Sequence, residues 1–294
     1  MKWLPWEVFV TSQYYVPPTS KWPIIAVAVM ASTAIGAASL MSFGTGLPFL
    51  LAGLIGIALV MYGWFSDVVR ESMGGLYDSQ MDRSFRQGMA WFIFSEVMFF
   101  AAFFGALFYV RVFALPWLDG QGAKGVTALL WPEFTASWPL MQTPDPSIGG
   151  PTALVNPWTL PLINTLLLVS SSVTLTIAHH ALKAGERLKL RNWLIVTLVL
   201  GSVFLVIQGV EYVEAWNHLG LTLQAGIYGS TFFILTGFHG LHVTIGAIVL
   251  AVLLMRVMKG HFSADKHFAF EAGAWYWHFV DVVWIGLFLF VYVF

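Results

Sequence analysis

The residue around which any chemistry in this chain would have to be built is Glu96. It lies inside Gly88 to Phe113, GMAWFIFSEVMFFAAFFGALFYVRVF, a stretch long enough to cross a bilayer. At about 1.5 Å per helical residue, Glu96 sits roughly 12 Å below Gly88, near the middle of a hydrocarbon core about 30 Å thick. An ionised carboxylate at that depth is costly, so the group is expected to be protonated, paired or beside a polar cavity. On a helix it shares a side with Phe92, Ile93, Phe99, Phe100 and Phe103, while Ala101, Ala102, Gly105 and Ala106 offer small-residue spacing to a neighbouring helix. Two roles compete. One is an acid that handles protons or touches lipid; the plainer one is a neutral acid bonded to the next helix.

Four other polar residues fall in apolar surroundings. His239 and His242, in FHGLHV, are three apart and on one side of a helix, about halfway through an apolar segment. They cannot bind opposite faces of one haem, and no further ligand at that depth completes a metal site, so they read as neutral, hydrogen-bonded structural residues. His278 and Asp281, in WYWHFVDVVW, are also three apart; a charge-assisted pair within the helix is expected, stabilising a buried carboxylate rather than relaying protons. His179 and His180 end an apolar segment on its basic side, where headgroup or backbone contact is expected. Ser170, Ser171, Ser172, Thr174 and Thr176 bond their own helix or a neighbour. Arg70 and Arg256, each at an apolar segment's end, stand at headgroup height and are candidate contacts for anionic lipid. No phosphate-binding glycine loop, dinucleotide fingerprint, nucleophile elbow or zinc-protease motif is present, so nothing points to a self-contained enzyme or to a nucleic-acid partner.

The elements that must position these residues are membrane spans. With 58% hydrophobic and only 10% charged residues, including 25 Phe and 14 Trp, the chain is far from the roughly 25% charge of a soluble domain. Cysteine is absent, which removes disulfides, thiolate metal sites and thioether-linked haem. Pro5, Pro17 and Pro18 interrupt the first twenty residues, so no cleavable signal peptide is expected. Seven apolar segments are each close to the length of a spanning helix: about 23–43, 47–65, 88–113, 161–182, 193–212, 228–255 and 275–294. Residues 1–294 therefore form one all-α membrane domain. Helices I and II occupy 23–65 as a tight hairpin turning at Gly44 and Gly46, an inner loop and helix III occupy 66–113, and helices IV to VII occupy 161–294. Between them 114–160 carries seven prolines and is expected to be a folded outer loop on the membrane surface, without a spanning helix.

The basic residues test the count. Twelve of the 14 Lys and Arg residues fall on one side: Lys2 and Lys21; Arg70, Arg83 and Arg86; Lys183, Arg187, Lys189 and Arg191; Arg256, Lys259 and Lys266. Only Arg111 and Lys124 fall on the other. By the positive-inside rule this puts the N-terminus inside and the C-terminus outside. The connection after the fifth span, with Glu211, Glu214 and no basic residue, agrees with an outer position.

Six pieces carry a family resemblance: WFSDVVRES (64–72), SEVMFF (95–100), AHHALKAGER (178–187), EYVEA (211–215), YGSTFFILTGFHGLHVTIG (228–246) and FEAGAWYWHFVDVVW (270–284). The chain resembles cytochrome c oxidase subunit III over nearly everything after the first span. The resemblance implies a subunit with no haem or metal of its own, docked on catalytic subunit I and subunit II, which carry haem and copper. It implies helices I and II leaning away from the other five in a V whose cleft holds phospholipids. Glu96 matches the family's buried acid, and Arg70 and Arg256 fall on lipid-contacting positions. The implied role is to support proton uptake and to protect the catalytic subunit from inactivation during turnover, in a bacterial cytoplasmic membrane or, alternatively, the mitochondrial inner membrane. Two features depart from the pattern. The family often has histidines just after RES, where this chain reads MGGLYDSQMD (73–82), and the 114–160 loop is long. A quinol oxidase third subunit is the alternative within the class, although it typically lacks the first two spans. A free-standing proton or solute channel is the alternative outside it, and would need a continuous polar face on several spans.

Overall fold

Buried backbone N–H and C=O groups in hydrocarbon must find partners within the chain, and an apolar run of twenty or more residues does so most simply as a helix. The computed structural model describes residue 15 and residues 18–294. Lys2, Pro5 and Pro17 lie outside the described residues, and with them the expectation about a signal peptide. The described residues contain helices and no strands: α1 (Trp22–Phe43), α2 (Leu47–Met73), α3 (Ser79–Tyr109), the short α4 (Leu115–Leu118), α5 (Leu160–Lys183), α6 (Arg187–His218), α7 (Gly226–Met258) and α8 (Phe268–Leu287). Among the described residues seven helices are long and apolar enough to cross a membrane, the third running Ser79–Leu118 because one wide turn at Val110–Ala114 joins α3 to α4. The fold is an all-α, multi-pass membrane protein. Prolines 23, 48 and 161 stand in the first turns of α1, α2 and α5, where a missing N–H costs no intrahelical bond.

The spans run further than hydropathy marks them. A 40-residue helix is about 60 Å long, twice the hydrocarbon core. The inner loop expected over 66–87 shrinks to five residues, 74–78, because α2 continues to Met73 and α3 begins at Ser79. Charged residues there support helix rather than end it: Arg86 Nε donates to Asp82 Oδ2 at 2.8 Å, four residues back. The loop expected over 114–160 starts at 119, since α4 carries the third helix through Pro116. Glu211 and Glu214, expected outside the fifth span, lie within α6.

The chain separates into two units, 1–87 and 88–294. In the first, α1 and α2 form the expected hairpin. Its turn has left-handed backbone at Gly44 (φ 66°) and Gly46 (φ 96°), a conformation side chains with a Cβ disfavour. Ser32 Oγ donates to the Phe49 carbonyl at 2.9 Å, and Trp22 Nε1 donates to Asp67 Oδ2 at 2.7 Å, tying the middle of α1 to the start of α2 and the start of α1 to the last turns of α2.

In the second unit α8 supplies the centre. Trp277 and Trp284 are fully buried, with Phe204 of α6, Phe232 of α7 and Phe270 of α8 around them. Trp277 packs on the bare backbone of Gly201 in α6, where an added Cβ would come within 2.6 Å of the indole, and its Nε1 donates to Ser171 Oγ on α5 at 2.9 Å. The loop between α4 and α5 is folded against this unit. Leu140 is buried, Trp138 meets Tyr228 edge-on, and Thr152 N–H donates to the Leu219 carbonyl at 2.9 Å.

Candidate functional site

Glu96 faces α7 from the middle of α3, and the helix pair closes a polar contact inside an aromatic sleeve. His242 Nε2 lies 2.9 Å from Glu96 Oε2, and both side chains are largely covered, 11% and 21% exposed. His242 Nδ1 lies 2.6 Å from the Phe238 carbonyl, an acceptor only, so that nitrogen carries a proton and donates it. Phe100 stands edge-on to the imidazole at 5.0 Å, Phe99 lies on a second side, and Tyr276 stacks over it at 6.4 Å while donating its hydroxyl to the His242 carbonyl at 3.3 Å. Of the three environments open to a mid-membrane acid, this one is paired. The expected Phe-rich side is present and meets α7, whereas the small residues Ala101, Ala102, Gly105 and Ala106, expected to receive a neighbouring helix, are exposed.

His239, one turn earlier, turns the other way. Its Nε2 donates to the Val280 carbonyl on α8 at 3.1 Å, and its ring lies between Phe204 and Trp284. Three residues apart on a helix are about 60° apart in azimuth, which is enough to send His242 to α3 and His239 to α8. The same divergence removes the expected His278–Asp281 pair. His278 Nε2 reaches Thr176 Oγ1 on α5 at 3.5 Å, whereas Asp281 faces Ser172 on α5, its Oδ1 without a hydrogen bond among the described residues.

The two candidate lipid arginines differ. Arg70, at the end of α2, is 79% exposed and forms an ion pair with Asp67 one turn back. Arg256, at the end of α7, lies across the Phe262 ring at 4.5 Å and has a buried Nε without an acceptor among the described residues.

One polar cluster escaped the sequence reading. Glu211 on α6 is buried, accepts from the Tyr292 hydroxyl at 2.6 Å and from Gln208 Nε2 at 3.3 Å, and Asn164 on α5 extends the chain by donating to Gln208 at 3.4 Å. A cavity of about 120 Å³ lined by Glu211, Glu214, Asn156 and Thr159 lies beside it. The signal available was spacing alone: Gln208 and Glu211 stand one turn apart, on one side of α6.

The arrangement can hold and share protons at Glu96–His242 and at the Glu211 cluster, and it brings together no ligand set for haem among these residues. Comparison with known proteins agrees with the resemblance drawn from the motifs. The family model described as cytochrome c oxidase subunit III matches residues 12–121 and 127–294. Proteins named cytochrome c oxidase subunit 3 are similar over nearly their full length. The one from Tetraodon nigroviridis is 40% identical over 283 residues, 95% of this chain and 96% of that one. The one from Sus scrofa is 40% identical over 283 residues, 96% and 97% of the two chains. The one from Hippopotamus amphibius is 39% identical over 285 residues, again 96% and 97%. A family match of that extent, with full-length relatives of that identity, means that the chain belongs to the cytochrome c oxidase subunit III family.

Proposed function

We propose that this chain is the accessory third subunit of a membrane-bound cytochrome c oxidase, docked on catalytic subunit I and subunit II, with the haem and redox copper in those partners. It binds phospholipid, supports proton uptake into the catalytic subunit, and protects that subunit during turnover. The observation that carries this reading is the Glu96–His242 contact. Both nitrogens of His242 are engaged, by Glu96 and the Phe238 carbonyl, and one nitrogen of His239 is held by Val280, which supports reading these two histidines as helix-packing residues. Support rather than chemistry is what such a subunit offers. The basic residues favour an N-terminus inside and a C-terminus outside. The relatives are animal proteins, which gives no preference to a bacterial cytoplasmic membrane over the mitochondrial inner membrane.

The test is a mild-detergent pull-down of the tagged chain followed by a visible spectrum, and then oxygen consumption by the complex with and without it. Haem bands are expected in the co-purified material and not in the chain once stripped of its partners. Oxygen reduction by the depleted complex should start near the normal rate and then die away over fewer turnovers. A chain that purifies alone and conducts protons in liposomes would point to a channel instead.

A further inference from the structure

Away from the Glu96 contact, the carboxylate of Glu211 on α6 is only half used. The residue is 2% exposed. Its Oε1 accepts from the Tyr292 hydroxyl at 2.6 Å and from Gln208 Nε2 at 3.3 Å, while its Oε2 is buried with no hydrogen-bond partner among the described residues. A buried carboxylate oxygen in that condition wants a donor or a cation. The cavity of about 120 Å³ beside it is lined by Glu211 together with Glu214, Asn156 and Thr159, and neither Tyr292 nor Gln208 belongs to its wall. The two donors therefore hold Oε1 from the protein side and leave Oε2 as the oxygen toward the cavity. Glu214, Asn156 and Thr159 are exposed and form its rim. The wall also includes Leu160 and Pro161 from the first turn of α5, whose N-terminus would favour an anion. That pull is largely spent: Pro161 has no N–H, and the N–H groups of Leu162 and Ile163 donate to the Pro157 and Thr159 carbonyls. The two carboxyl groups set the sign of the site.

We propose that Glu211 and Glu214, with oxygens of Asn156 and Thr159, form a binding site for a hard divalent cation, with Ca²⁺ the ion this donor set suits best. Every polar side chain named on the wall offers oxygen, and imidazole and thiolate ligands are absent from it, which sets aside the softer transition metals. Ca²⁺ takes six to eight oxygens at about 2.3–2.6 Å in irregular arrangements and accepts waters among them, whereas Mg²⁺ demands a near-ideal octahedron at about 2.0–2.1 Å. A rim made by a loop and a helix suits the first better than the second, and the cavity has room for an ion with several waters. Hydrogen bonds to the far oxygen of a ligating carboxylate are how such a ligand is commonly fixed in direction, and Tyr292 and Gln208 supply them here. The bound ion would pin the segment that leads into α5 against α6. It would be a structural ion, separate from the haem and redox copper assigned to the partner subunits. In the sequence its trace is two acids one turn apart on α6, which gain meaning only when the loop before α5 folds over them.

The test uses the full-length chain in a neutral detergent without anionic lipid, cleared of metal by chelator and titrated with Tb³⁺, an ion that replaces Ca²⁺ at oxygen sites and luminesces when excited through a nearby indole. Trp158, two residues from Asn156, is placed to sensitise it. One sensitised Tb³⁺ per chain is expected, displaced by Ca²⁺ with a Kd of order 0.1–1 mM, as at other calcium sites with few protein charges, and displaced at least tenfold less well by Mg²⁺. Glu211→Gln, which still accepts from Tyr292, and Glu214→Gln, at an exposed acid with little risk to folding, should each weaken Tb³⁺ and Ca²⁺ binding at least tenfold. Glu133→Gln and Asp265→Asn, at exposed acids outside the cavity, should leave both unchanged. Binding by Glu211→Gln and Glu214→Gln equal to the parent's, or a parent that binds no more than the double variant, would overturn the assignment and leave the cavity to water alone. Displacement by Mg²⁺ as effective as by Ca²⁺ would overturn the choice of ion.

Discussion

His242 on α7 holds its Nε2 2.9 Å from Glu96 Oε2 on α3 while its Nδ1 donates to the Phe238 carbonyl at 2.6 Å. Because Nδ1 keeps its proton, one further proton is shared across the gap. It gives either an imidazolium facing a carboxylate or a neutral imidazole accepting from a carboxylic acid. Both forms are neutral as a pair, which removes most of the cost of placing an acid at that depth.

Glu96→Gln should therefore be mild, because a Gln amide can donate to the unprotonated Nε2 of His242. Its complex should begin oxygen reduction at close to the parental rate. Glu96→Ala leaves His242 Nε2 without its partner inside a phenylalanine sleeve, a loss of about 1–3 kcal/mol, and should shorten the number of turnovers before inactivation. The oxygen-consumption trace, read at its start and over prolonged turnover, separates the two. A Gln variant with a collapsed initial rate would mean that the proton itself is needed.

Coupling between the partners gives a second expectation. The double variant Glu96→Gln, His242→Gln should be less destabilised than the sum of the single changes, since each residue's main polar partner is the other. Thermal unfolding of the four chains in one detergent measures the coupling, and additive effects would show that the two residues act apart.

How far this site was legible in the sequence depends on the distance along the chain. Seven spans follow from hydropathy, and Glu96 was visible because one acid in an apolar run has no bland explanation. Its partner lies 146 residues away, and no local pattern names it. Three-residue spacing misled at His278 and Asp281, where a pair within the helix was expected, because side chains about 60° apart on a buried helix meet different neighbours. Glu211 read as an outer acid because it follows the last strongly apolar residues of its span. Only the returning Tyr292 at the other end of the chain shows that it is enclosed. Helix ends were read short for a simple reason: hydropathy reports the hydrocarbon core, whereas charged residues such as Asp82 and Arg86 keep the helix going beyond it.

Tyr292→Phe should destabilise the second unit by about 1–3 kcal/mol, since it removes the 2.6 Å donor to Glu211 and leaves a buried carboxyl poorly satisfied. Glu211→Gln should cost less, because an amide can still accept from Tyr292. The order of unfolding temperatures, parent above Glu211→Gln above Tyr292→Phe, checks this; the reverse order would mean that Glu211 must carry its charge.

Two glycines of α6 allow a controlled comparison. Gly201→Ala drives a methyl against the Trp277 indole and should cost about 1–3 kcal/mol. Gly209→Ala on the same helix meets nothing within 4 Å and should be neutral or stabilising by up to about 1 kcal/mol through helix propensity. Equal stability of the two variants would show that α6 and α8 are less closely packed than the Trp277 contact requires.

Arg256 and Arg70 make the last comparison. A guanidinium offers paired donors to a phosphate, and Arg256 has its plane set by the Phe262 ring and a buried Nε with no acceptor from the described residues. Arg70 is open to its surroundings and already faces Asp67. If both hold headgroups, the preset and less neutralised Arg256 should hold its lipid more tightly. Arg256→Ala should then lower retained phospholipid and loosen the subunit from its complex. Arg256→Lys should recover only part of the loss, because an ammonium keeps the charge without the planar fork. Arg70→Ala should have the smaller effect, and Asp67→Asn should strengthen retention at Arg70 by releasing the guanidinium from its ion pair. Native mass spectrometry of each variant, with lipid counted against collision energy, gives the ranking. If Arg256→Ala left lipid occupancy unchanged, Arg256 would be left with setting topology alone. Full recovery by Arg256→Lys would show that charge, and not paired donors, holds the headgroup.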